Sequence, residues 1–167
     1  PAGGPTGNWT MRVVSVEGTE GTVSDLAQTA LNVLIPMPSI TAVKAVSTYS
    51  DPYNSTTNPK SIPGAVMIYT VTVANSGPGA VDADSMAVTD PLSTNTMMCV
   101  SALCSNPPVV FTCSVIPSCG LTYNYATAVT YTNRAGGVGP YDYTPVPDAS
   151  GYDAAVTGFR VNPSGAF

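Results

Sequence analysis

The sequence predicts an all-β protein built as a β-sandwich. Three observations carry that expectation. Short runs rich in Val, Thr and Tyr recur along the chain. Gly, Pro, Asn or Asp bounds each run, the punctuation expected of strands joined by turns. Good helix formers in amphipathic spacing are almost missing.

In chain order, residues 1–8, PAGGPTGN, have the Gly/Pro composition of a flexible leader. The first strand is expected over 10–16, TMRVVSV. In the surrounding stretch Trp9, Met11 and Val13 alternate onto one face. Residues 24–34, SDLAQTALNVL, fit a helical turn or two, with Ser24 as N-cap and Leu26, Ala30 and Val33 on one face. They equally fit a strand ending before Pro36. Further strands are expected over 40–46, 65–75, 80–90, 109–113, 121–132, 141–146 and 154–161. Between 47 and 63 runs a long polar loop with three prolines. Over 65–75, Met67, Tyr69, Val71 and Val73 alternate with Ile68, Thr70 and Thr72, so one side can pack while the Thr side meets solvent or a neighbour. Asn75-Ser-Gly-Pro-Gly then supplies a turn, and Gly64 suits the turn that starts the strand. Two regions follow: an N-terminal arm over 1–36 and the sandwich over 37–167. No internal repeat stands out.

Composition narrows the function. Hydrophobic residues make up 44% of the 167 residues, enough for a core, while charged residues make up only 9%. Typical soluble domains carry about 25%, so this surface relies on Ser, Thr, Asn and Gly or is hidden in an assembly. A net charge of −5 argues against nucleic acid as a partner, since that needs a basic footprint. No apolar run approaches the roughly 18–20 residues of a membrane span. The chain opens at Pro1 rather than Met, as expected after removal of a signal peptide. Four cysteines within 99–119 suit an oxidising compartment, so the expected location is secreted, at the cell surface.

From Ile40 onward, Lys44, the Asp51-Pro-x-Asn loop, Asn58-Pro-Lys, Pro63-Gly, Tyr69-Thr-Val-Thr-Val, Asn75-Ser-Gly and Val88-Thr-Asp-Pro follow one another in order. A second block runs through FTCSVIPSCGLTYNY and from YDYTPV to the C-terminal Phe167. In these motifs the chain resembles the conserved repeat domain of small secreted bacterial and archaeal surface proteins. The resemblance implies an immunoglobulin-like sandwich on an exported protein and supplies no catalytic residues. Cys113 and Cys119 depart from it, standing where small or acidic residues would be expected, and residues 1–36 do not match it.

Catalytic constellations are hard to assemble. The chain has no His, which removes His-based triads and zinc sites. Lys44 and Lys60 lie in no Ser-x-x-Lys pattern, and Glu17 and Glu20 are the only glutamates. No enzyme, no cofactor and no metal site are therefore expected. Calcium is the one candidate ion, through Asp82, Asp84, Asp90, Asp142, Asp148 and Asp153 near turns, but Asp is also a good turn residue. Cys99, Cys104, Cys113 and Cys119 can pair locally, 99 with 104 and 113 with 119, or nested, 99 with 119 around 104 with 113. The local pairing is favoured because Cys113 and Cys119 bracket one loop. Tyr123, Tyr125, Tyr131, Tyr141 and Tyr143 could form a glycan- or subunit-binding face, or pack across strands inside the sandwich.

The expected function is structural: the repeating subunit of a pilus-like homopolymer. Residues 8–17 would act as a donor strand, with Trp9, Met11, Val13, Val14 and Val16 as the subunit-joining residues. The alternative is a monomeric cell-surface adhesion module whose tyrosine face recognises glycan or protein.

Overall fold

In the computed structural model of the chain, residues 9–12, 28–31, 36–114 and 119–167 are described. The described residues are all-β in character. Helix is confined to one turn at Tyr125–Ala128 and a 3₁₀ turn at Ala135–Gly137. The chain divides into two compact units, Pro1–Ala80 and Val81–Phe167.

In the first unit, β1 (Trp9–Arg12) pairs antiparallel with β2 (Gln28–Leu31), Trp9 lying opposite Leu31 and Arg12 opposite Gln28. Residues 9–12 of the expected arm are thus one strand of a two-stranded ladder. Of the two alternatives for 24–34, residues 28–31 take the strand. Val13, Val14 and Val16 lie outside the described residues. β3 (Ile40–Ser50) and β4 (Val66–Asn75) form a long antiparallel hairpin from Ile40 opposite Asn75 to Thr48 opposite Met67, with Tyr49 bulged out before Ser50 meets Val66. The strand expected over 65–75 is thus present almost residue for residue.

In the second unit, β5 (Val88–Pro91), β10 (Gly158–Val161) and β8 (Val129–Thr132) form a three-stranded antiparallel sheet with β10 in the middle. β6 (Met98–Cys99) pairs with β9 (Tyr152–Asp153), and β7 (Leu121–Thr122) with β11 (Ser164–Gly165). Val129, Tyr131 and Val156 form the core, and Leu92, Met98, Val100, Val109 and Phe159 pack against it.

Several expected strands are shortened or replaced, each for a local reason. Over 80–87 the chain turns instead. Asp84 takes a positive φ of 61°, and Ser85 caps the turn through a 2.7 Å bond from its hydroxyl to the Asp82 carbonyl. The run 121–132 is broken because Asn124 N-caps a helical turn, α1 (Tyr125–Ala128), its Oδ1 accepting the Ala126 N–H at 3.0 Å. Residues 141–146 contribute one bridge, Tyr143 to Tyr131, and Val109–Cys113 joins no ladder among the described residues.

Candidate assembly surface

Most residues of the β3–β4 hairpin are exposed. Cross-strand partners share a face, so Ala42, Lys44, Val46, Met67, Tyr69, Val71 and Val73 line one side. Val43, Ala45, Ser47, Ile68, Thr70 and Thr72 line the other. The alternation expected for β4 is visible: Met67, Val71 and Val73 are half-buried, while Thr70 and Thr72 are exposed. Yet apolar groups meet solvent on both sides, with Val46 54% exposed on the first face and Val43 66% and Ile68 47% on the second. On the first face the Lys44 ammonium sits 4.7 Å from the centroid of the Tyr69 ring, the one cation on an otherwise uncharged surface. A two-stranded hairpin alone is marginal in water and needs a third strand or a packed layer for independent stability.

Two polar hubs brace the ends of this hairpin. At one end the Asn75 side chain ties the chain to its own turn. Its Oδ1 accepts from the Ser39 N–H at 3.0 Å and the Gly77 N–H at 3.1 Å, and its Nδ2 donates to the Gly79 carbonyl at 2.8 Å. Gly77 and Gly79 are required there, because a Cβ on either would collide with the main chain of Pro36, Met37 or Ser39. At the other end the buried Asp51 carboxylate gathers its loop. It accepts from the Tyr53 N–H at 2.8 Å, the Asn54 N–H at 2.6 Å, the Asn54 amide at 3.0 Å and the Lys60 N–H at 2.6 Å. The Asn54 N–H, backed by the Lys60 and Tyr53 donors and outweighing burial, holds its pKa down to about 2. Asp51, Asn54 and Asn75 appear in the sequence as motif residues without a role; the hubs are their role.

The hydrogen-bond phase of the ladder says which main-chain groups face outward. Ser76 N–H donates to the Ser39 carbonyl at 2.9 Å, one step beyond the Ile40–Asn75 pair. Hydrogen-bonded pairs alternate with non-bonded ones in an antiparallel ladder. Thr41, Val43, Ala45 and Ser47 therefore bond inward to Ala74, Thr72, Thr70 and Ile68. The N–H and C=O groups of Met67, Tyr69, Val71 and Val73 point to the outer edge of β4, and those of Ala42, Lys44 and Val46 to the outer edge of β3. No third strand pairs with either edge among the described residues.

The five tyrosines of the expected C-terminal face lie in the second unit. Tyr131 is buried, its hydroxyl 2.7 Å from that of Tyr125. Tyr125 also donates to the Val100 carbonyl at 3.3 Å, and Tyr123 to the Val109 carbonyl at 2.6 Å with Phe111 stacked on its ring. Burial, helped by the Tyr125 hydroxyl, pushes the Tyr131 phenol well above its ordinary range. Tyr143 donates to Asp153 at 3.0 Å. Of the five, Tyr123, Tyr125, Tyr131 and Tyr143 thus belong to the packing of the second unit rather than to an exposed face.

The aspartates serve local structure: Asp142 lies 3.7 Å from the Arg134 guanidinium, and others accept from backbone N–H groups. Asp148 accepts from the Ser150 and Tyr152 N–H groups at 2.8 and 3.0 Å, and Asp84 from the Gly165 N–H at 2.8 Å. The buried Asp153 accepts from Val146 and Ala155 N–H groups, both at 2.7 Å; against the cost of burial these donors hold its pKa below the usual carboxylate range. Among the described residues no three His, Cys, Asp or Glu side chains gather as a metal site. The cysteines pair locally, Cys99 with Cys104 and Cys113 with Cys119; the nested arrangement is not formed. No described helix is long and apolar enough to cross a membrane. A shallow cavity of about 310 Å³ opens beside Ser93–Thr96, Gly136, Gly137 and Thr157, lined without any charged side chain.

No family model matches the chain, and no curated protein or solved structure matches it.

Proposed function

We propose that this chain is the repeating structural subunit of an extracellular, pilus-like filament whose subunits join by β-strand addition. The observation that carries this reading is the β3–β4 hairpin, with both edges unpaired by strands and apolar groups exposed on both faces among the described residues. Such an element gains stability from a further strand or layer. A strand from a neighbouring subunit supplies main-chain bonds and covers apolar area together. On this reading the immunoglobulin-like sandwich is completed between subunits, with residues 8–17 as the donor. The two disulfides fit export to an oxidising compartment. The adhesion alternative would use the tyrosine face or the turn loops, and the Tyr125–Tyr131 hydroxyl pair favours packing over display for two of those tyrosines.

Negative-stain electron microscopy of the protein shed from its native cells tests the reading. Uniform fibres that resist mild denaturant are expected, and removal of residues 1–17 should leave folded protein that forms none. Single particles from the intact chain at every concentration would sink the filament.

A further inference from the structure

We infer that the acceptor is the outer edge of β4 and that its occupant is β1 of a second copy of this chain. The inference rests on the filament reading and specifies its joint.

The two edges of the hairpin are not equivalent. β3 carries Lys44 at its middle, the bulge at Tyr49 near its end and Pro38 just before its start. Charge, bulges and proline are the devices that discourage pairing at a sheet edge. β4 has none of them. No charged residue occurs from Ser61 to Val81, no proline interrupts 66–75, and the register against β3 runs unbroken from Asn75 to Met67. The outward groups of Met67, Tyr69, Val71 and Val73 thus make a straight, uncharged template.

The occupant follows from what the same subunit lacks elsewhere. β1 and β2 form a second two-stranded sheet with no third strand among the described residues. β1 of one copy laid on β4 of the next turns two isolated hairpins into one four-stranded sheet in the order β2-β1-β4-β3. That is above the threshold at which a sheet supports itself. The contact joins unlike surfaces, so it builds no two-fold dimer and extends into a filament when its rotation does not close a ring. An uncharged edge also offers nothing to select a charged foreign peptide and nothing to repel its own kind.

Proline scanning of the two edges in the full chain tests this. Val71→Pro removes an outward N–H of β4 without breaking a bond to β3, and Val73→Pro does so at the next outward position. Ala42→Pro is the matching change on the edge of β3. Assembly is followed by light scattering and by the emission of Trp9, the only tryptophan, which docking of β1 should shift to the blue. Melting curves certify that each variant is folded. The expected result is wild-type fibres, Ala42→Pro fibres in equal yield, and at least a tenfold loss of assembly with no blue shift in Val71→Pro and Val73→Pro. If folded Val71→Pro or Val73→Pro assembles as the wild type does, or if Ala42→Pro alone blocks assembly, the β4 edge is not the acceptor, although the filament stands. Fibres that form with unchanged Trp9 emission would overturn β1 as the occupant. A wild-type chain that never assembles removes the filament reading itself.

Discussion

One carboxylate, Asp51, holds both ends of its loop through four donors, and its titration should be felt in stability. Its folded pKa is about 2, below the roughly 3.9 of an unfolded aspartate. A depressed folded pKa means that the contribution is fully present above the unfolded value and drains away as pH falls through the folded one. Melting temperature in the wild type should therefore fall between about pH 4 and pH 2, with a smaller slope in Asp51→Asn. The same substitution sets an amide N–H₂ against the donors on its Oδ2 side, the Lys60 N–H and the Asn54 amide. Trypsin should then cut after Lys60 several-fold faster in the variant, and an unchanged rate would show that the hub does not hold the loop. Tyr131 makes a neutral counterpart. Tyr131→Phe deletes one half of the 2.7 Å hydroxyl pair with Tyr125, an expected cost of about 1 kcal/mol by denaturant titration.

At the scale of elements, the long hairpin is the part of the fold that shows most clearly in the sequence. Period-two alternation is clear over Thr70–Val73 of β4, Asn75-Ser-Gly closes one end and Asp51-Pro-x-Asn the other. The small strands do not show. β6, β7, β9 and β11 are two residues each, too short for any period, and partners far along the chain create them. The run 121–132 misleads because its Val and Tyr content signals one strand, while Asn124, a residue that caps helices as readily as it turns chains, splits it. The packing role of the tyrosines could not be chosen from spacing, since a binding face and a core stripe share the same alternation. The turn at Asn75 gives an element-level test. Gly77→Ala would drive a Cβ into the Met37 carbonyl and the Ser39 amide, and the hairpin should lose roughly 1–3 kcal/mol, as overpacked sites do. The Cys99–Cys104 bridge closes a short loop, so replacing both cysteines with Ala should cost only about 2 kcal/mol. A loss far above that in urea would mean that the bridge also organises β6 against β9.

At the scale of the whole molecule, scarcity of charge links folding to assembly. With 9% charged residues and a net charge of −5, copies repel one another weakly, and the β4 edge of the proposed joint carries no charge, Arg12 of β1 being the one charged residue of the two strands. Its strength must come from main-chain bonds and apolar burial, which salt does not screen. Fibre growth followed by light scattering should therefore not slow between about 0.01 M and about 1 M salt, although the Debye length shrinks from about 30 Å to about 3 Å over that range. Salt should instead speed growth modestly by damping the shared negative charge. A steered, ion-paired joint behaves oppositely, losing rate steeply as salt rises. A tenfold slowing at high salt would place the contact on the charged residues of the chain, Lys44 on β3 first among them, and would move the joint away from β4.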